Sequence, residues 1–147
     1  MKHFFLPDWL VIIISLICIV ILIILWFTLN RFNYISIIAV LLYTFFFVYF
    51  AIKIPLYTYV DEKNIIVKQL VGKKIFCREE IKITYLETKI INDAIRMFGS
   101  GGFGGYIGWF RNTSLGKFYM LSVNTKEIAL IETKDGRKYV LNLPKNY

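Results

Sequence analysis

The chain has 147 residues, 57% of them hydrophobic and 18% aromatic, and a formal net charge of +8. That length allows one small domain beside any membrane segments, and so large an apolar fraction, unevenly spread, is not that of an ordinary soluble domain. With two cysteines and one histidine, the sequence has no material for a disulfide framework or a His/Cys metal centre.

Residues 9–29 read WLVIIISLICIVILIILWFTL and residues 34–52 read YISIIAVLLYTFFFVYFAI, neither with a charged side chain. Uncharged runs of about 20 residues match a helix that crosses a bilayer core, and a lone spanning segment satisfies its backbone only as helix. The pattern predicts a unit at 1–52 containing two transmembrane helices, about 9–29 and 34–52. The four residues 30–33 would close them into a tight antiparallel hairpin. The first run exceeds the about 7–15 residues of a signal-peptide core, and no small-residue cleavage site follows it. Ile17 stands before Cys18, where a lipoprotein site needs a small residue. Trp9, Trp26, Tyr34 and Tyr49 lie near the ends of the runs, where amphipathic rings settle at headgroup level. With no charge inside either run, an anchor is expected rather than a pump or channel.

All but two of the 18 Lys and Arg, the exceptions being Lys2 and Arg31, lie from Lys53 onward, as do all the acidic residues except Asp8. Lys2 and Lys53 flank the two runs, so the positive-inside rule places both termini in the cytoplasm, with Arg31 dissenting. Cys18 lies deep in the first run and Cys77 in the polar part. They do not pair, which fits a reducing compartment.

From residue 53 to 147 the pattern is almost entirely β. LYTYV (56–60), IIVKQLV (65–71), IFC (75–77), IKITYLE (81–87), KFYMLSV (117–123), IALIET (128–133) and KYVLNL (138–143) read as about seven short strands. Asp135-Gly136 between the last two is a hairpin signal. KIINDAIRMF (89–98) is ambiguous between strand and a short helical turn. The expected fold is a small antiparallel β sandwich or barrel behind the anchor.

The segment GSGGFGGYIGWF (99–110) contains a literal G-x-G-x-x-G from Gly99 through Gly101 to Gly104. A dinucleotide site needs a strand before that motif, a helix opening on its last glycines and a βαβ unit around it. Gly105, Tyr106, Ile107 and Gly108 begin a helix poorly, and Gly116-Lys117 is followed by Phe118 rather than Ser or Thr. Two readings of Gly99, Gly101, Gly102, Phe103, Gly104, Gly105, Tyr106, Gly108, Trp109 and Phe110 remain. Glycines in strand patterns mark bulges and corners, so the segment turns the chain between two sheets while Phe103, Tyr106 and Trp109 fill the core. Alternatively it is an interfacial loop whose rings meet lipid, with Lys53, Arg96 and Arg111 as contacts for anionic headgroups. Core is the favoured reading.

Catalysis finds little support. No histidine lies beyond His3 to serve Ser100, Ser114, Ser122 or Cys77 as a base, and Asp61-Glu62 and Glu79-Glu80 fall at expected turns. Lysines crowd the turn regions, a pattern that protects sheet edges and also draws a tethered domain toward an anionic leaflet. The interspersed acids and the lack of a binding motif argue against nucleic acid.

RMFGSGGFGGYIGWFRN (96–112), then Leu115-Gly116, Asn124 and the terminal DGRKYVLNLP resemble a bacterial family of pleckstrin-homology-like membrane proteins. The resemblance implies N-terminal membrane helices followed by a two-sheet, roughly orthogonal β domain at 53–147, normally closed by a C-terminal helix. Here the chain stops at Tyr147, three residues after Pro144, without room for that helix. A second copy covering the open end, a homo-oligomer, is one way to close it. The resemblance brings no catalytic residues and no cofactor. The expected function is a non-catalytic membrane-anchored module that binds a protein partner or anionic lipid headgroups at the cytoplasmic face, by strand addition or pocketed side chains. A structural subunit assembled through its transmembrane hairpin is the alternative, and an enzyme acting through a buried carboxylate or Cys77 is a third.

Overall fold

A computed structural model describes residues 1–28 and 34–145, and the expected tight connection at 30–33 lies outside them. In chain order the elements are β1 (Lys2–His3), α1 (Trp9–Thr28), α2 (Tyr34–Ala51), β2 (Pro55–Val60), β3 (Asn64–Gln69), β4 (Lys73–Cys77), β5 (Ile81–Leu86), α3 (Thr88–Ile91), β6 (Ile95–Gly101), β7 (Tyr106–Asn112), β8 (Gly116–Ser122), β9 (Ile128–Thr133) and β10 (Lys138–Asn142). Two sheets form, one in the order β1-β2-β3-β4 and one in the order β5-β9-β10-β8-β7-β6. The chain passes from the first to the second through one 3₁₀ turn, Arg78–Glu80.

Alternation explains the core. Val60, Ile65, Val67 and Phe76 of the first sheet face Ile107, Leu121, Ala129, Ile131, Tyr139 and Leu141 of the second, all buried. The opposite face of the second sheet buries Phe110, Phe118, Met120, Ile128, Leu130 and Val140 beneath Leu86 and Ile91. The crossover from β5 to β6 covers that face. Asn112 Nδ2 holds it by donating to Ile90 O at 2.6 Å. The segment 89–98, ambiguous in sequence, supplies both the end of α3 and the start of β6. Asp135-Gly136 turns β9 into β10 with Gly136 at φ 78°, in the left-handed region that favours glycine.

Ten strands form among the described residues, where the sequence pattern suggests about seven. The N-terminus contributes β1, and the glycine segment contributes much of β6 and β7. The pairing is also not wholly antiparallel, since β8 and β10 run parallel through Tyr119↔Tyr139 and Leu121↔Leu141.

The helices grow out of the first sheet. Antiparallel pairing of β1 with β2, Lys2↔Tyr59 and His3↔Thr58, brings the chain before α1 beside the chain after α2. Asp8 N donates to Val123 O at 3.0 Å, and below α2 Val71 N donates to Ile52 O at 2.9 Å. Tyr43 Oη donates to Cys18 O at 3.2 Å between the helices. Among the described residues α1 is the one helix long and apolar enough to cross a membrane, and only 6% of its most apolar window is buried, unlike the core helix of a soluble protein. The apolar stretch of α2, Ile37–Ala51, is shorter.

Candidate functional site

The glycine segment forms a hairpin within one sheet rather than a corner between two. β6 and β7 pair with Gly99 opposite Gly108, at φ 140° and 132°. A Cβ on Gly99 would lie 2.2 Å from Ile107 O, and one on Gly108 would lie 2.3 Å from Phe98 O. Two backbones approach here at a distance that no side chain permits. After Gly104 comes strand β7, not the helix a phosphate loop requires.

The hairpin tip, 102–105, docks on α1. Ser15 Oγ accepts from Gly104 N at 2.9 Å and donates to Val11 O at 2.6 Å, with Gly102 O 3.4 Å away as its alternative acceptor. Gly102 N donates to Gly105 O at 3.1 Å, and Ser100 Oγ donates to Phe103 O at 2.8 Å. These bonds close the tip on itself and tie it to α1. A Cβ at Gly102 would strike Ile14, and one at Gly104 would strike Ile54, each at 2.4 Å. Phe103 packs on Phe47 of α2 with ring centroids 4.4 Å apart. Between helices and hairpin lies a largely apolar cleft of about 260 Å³ lined by Ile14, Cys18, Phe46, Phe47, Arg96 and Gly101, among others. The Arg96 guanidinium reaches over Gly101, where an added Cβ would stand 3.3 Å from Nη1.

A second arrangement begins at the foot of α2. Phe98, Trp109, Tyr119 and Tyr139 are successive register partners across β6, β7, β8 and β10. Trp109 meets Tyr119 edge-on at 5.3 Å. Cations cover this row. Lys117 Nζ stands 4.7 Å from the centre of the Trp109 ring, and Lys74 Nζ stands 4.4 and 4.3 Å from those of Tyr119 and Tyr139. Lys53 Nζ donates to Tyr49 Oη at 2.6 Å. Tyr49, Lys53, Trp109 and Tyr119 border a small hollow of about 120 Å³. The ion pairs among the described residues, Arg137–Asp135 and Lys138–Glu132, involve none of these three lysines. Burial, then the positive charges of Lys53 and Arg137, holds the Lys74 pKa below that of an ordinary lysine. Burial first, then Tyr49 and Tyr139, raises that of Tyr119. Stacked cations of this kind gain from ring faces yet repel one another, and an anion placed among them would relieve that repulsion.

The residues singled out in the sequence separate here. Lys53 joins the lysine–aromatic row and Arg96 the cleft. Arg111, opposite Ile95 while Arg96 is opposite Phe110, falls on the other face of the hairpin, beside a hollow lined by Asp93, Met97 and Asn112. The rings expected to fill the core do so only in part. None of the three is fully buried: Phe103 contacts α2 and Trp109 is half-buried in the row, while the core is filled from this segment by Ile107 and Phe110 instead. Tyr106 is half-buried, its Oη 3.5 Å from Asp8 Oδ2, and burial, then Asp8, raises its pKa.

Sequence reasoning passed over Ser15, Asp8 and Lys117, and counted Lys74 only among the basic residues crowding the turns. Ser15 had a signal, since a hydroxyl inside an apolar helix marks a contact with a neighbour. Lys74 had another, because it shares the inward alternation of Phe76. Asp8 receives Thr125 N at 3.0 Å and Thr125 Oγ1 at 3.2 Å, tying the start of α1 to the loop after β8. Among the described residues no group of three His, Cys, Asp or Glu side chains is placed to hold a metal ion.

Residues 56–147 match a family model described as a bacterial PH domain. No curated protein matches, and no solved structure matches.

Proposed function

The chain belongs to the bacterial PH domain family, and from that premise we propose that it is a non-catalytic binding module held at a membrane, where it receives anionic lipid headgroups. The observation that carries this reading is the row of Lys53, Lys74 and Lys117 over aromatic rings at the foot of α2, outside any ion pair among the described residues. Aromatic rings and basic side chains both favour the headgroup layer, and each cation near an anionic leaflet contributes on the order of 1 kcal/mol.

The anchor follows from α1 and from topology. A 20-residue helix spans about 30 Å, the thickness of a bilayer core. Because β1 precedes α1 and pairs with β2, which follows α2, this pairing supports a chain that enters the bilayer through α1 and returns through α2. Both helices therefore enter together, giving a two-helix hairpin with both termini on one face. The lysines around that face favour the cytoplasmic side for it.

The test is lipid composition around the full chain in polymer-bounded bilayer discs cut from membranes of mixed zwitterionic and anionic phospholipid. Anionic lipid should be enriched over the bulk membrane. Replacing Lys53, Lys74 and Lys117 together by Gln should abolish the enrichment, and replacing them by Arg should restore it. Unchanged enrichment in the Gln variant sinks the reading. A protein partner is the second reading, and the exposed Ile95, Met97 and Phe98 on edge strand β6 favour it.

A further inference from the structure

The lysine–aromatic row accounts for a surface, but not for the cleft between the helices and the glycine hairpin. We infer that this cleft holds a single phospholipid, with one acyl chain lying between α1, α2 and the hairpin and its anionic phosphate at Arg96. The inference rests on the membrane reading above and adds a stoichiometric site to it. Three observations select this occupant over any other.

The first is position. Ser15 lies six residues into α1, roughly 9 Å along the axis from Trp9, so the tip it binds sits at acyl depth if Trp9 is at headgroup level. Backbone at that depth needs hydrogen bonds from protein, and Ser15, Ser100 and Gly105 supply them to Gly104 N, Phe103 O and Gly102 N. The second is shape. The cleft, at about 260 Å³ and largely apolar, is smaller than the roughly 300–1,000 Å³ of sites for drug-sized ligands and takes one stretch of acyl chain rather than a whole lipid. On the strand side Gly101 contributes no side chain, and a Cβ there would stand against the Arg96 guanidinium, so this position keeps the cleft open beside Arg96. The third is charge. Apolar Ile14, Phe46 and Phe47 line the cleft together with the guanidinium of Arg96, which is in no ion pair among the described residues. A fork of donors suits phosphate, and a neutral hydrocarbon would leave it without use.

The experiment uses the full chain purified in detergent, followed by detergent exchange, native mass spectrometry and extraction of the retained lipid. One phospholipid per chain should survive, enriched in anionic headgroups. Gly101 has no positive φ, and the nearest atoms to a Cβ there belong to the Arg96 side chain, so Gly101→Leu should fill the cleft and lower retention about tenfold. Arg96→Gln should keep a lipid without headgroup preference, and Arg96→Lys should keep part of the preference. A parent chain that releases all its lipid, or a Gly101→Leu chain that retains as much, overturns the inference.

A second measurement needs no change in the cleft. In a Cys77→Ser background, Cys18, which lines the cleft, should react with maleimide about tenfold faster after delipidation, and equal rates overturn the inference. Alkaline extraction of membranes scores the anchor separately. A chain that comes off breaks the membrane reading, whereas a chain that stays and carries no lipid breaks only this one.

Discussion

Lys74 occupies the strand position two before buried Phe76, so its side chain enters the space between the sheets instead of leaving it. There it rests on Tyr119 and Tyr139, near Lys53 and Arg137. Desolvation and like charge lower its pKa, which means that the unfolded chain binds this proton more tightly than the folded one. Stability contributed by this group therefore rises as pH climbs from the lowered value toward the ordinary 10.5 and is absent below that window. Lys74→Met should be at least as stable at neutral pH and should lack the rise. The measurement is the difference in Tm between the two proteins from about pH 7 to pH 10; the tyrosines common to both cancel. A constant difference would show that Lys74 carries no such cost. Lys53 and Trp109 were candidate interface residues in the sequence, though core was the favoured place for Trp109; that Tyr119, Lys74 and Lys117 share one row with them was not legible. Their convergence depends on register between strands far apart in the chain.

The β6–β7 hairpin shows how one element answers to two neighbours. Within the sheet, Gly99 and Gly108 allow the backbones to meet, and at the tip Gly102 and Gly104 clear room for Ile14 and Ile54. Glycine in a strand pattern suggested a corner between two sheets, whereas these glycines let two strands of one sheet and a helix approach closely. That helix lies more than eighty residues earlier, a contact which no local pattern encodes. Ser15→Ala is the direct probe. Gly104 N would lose its partner in a dry contact, at a cost of about 1–3 kcal/mol. The expected result is faster hydrogen exchange at 102–105 with little change in β9 and β10. Uniform loss of protection across the sheet would mean that the clamp supports the whole fold, and no change would mean that the tip does not rest on α1.

The whole molecule joins its two N-terminal helices to its β domain at several places: β1 on β2, Asp8 on Thr125, Ser15 on the hairpin tip and Ile52 on Val71. A domain tied in this way does not swing freely on a linker, and its cation row keeps a constant height relative to α1. The orientation has a direct test. Cys77 is exposed, so a membrane-impermeant maleimide should leave it unlabelled in intact cells and label it once the cells are opened. Labelling in intact cells would overturn the cytoplasmic placement. The crossover at 87–94 also bears on closure. It buries the second face of the six-stranded sheet within one chain, so that face gives no reason of its own to expect a second copy.

Local chemistry was enough to recover two kinds of information. Apolar runs without charge mark helices, because burying an unpaired charge in an apolar helix is costly. Period-two alternation with Asp-Gly punctuation marks strands and a hairpin, because the pleat sends successive side chains to opposite faces. The glycine segment and the motifs around it were also enough to indicate the family. Tertiary structure alone assigned the glycine hairpin to a helix contact, recruited the N-terminus as a strand, divided Arg96 from Arg111 and gathered Lys53, Lys74 and Lys117 over one aromatic row. These outcomes depend on which distant surfaces meet, and single residues of an antiparallel or parallel register change them by a full face of the sheet.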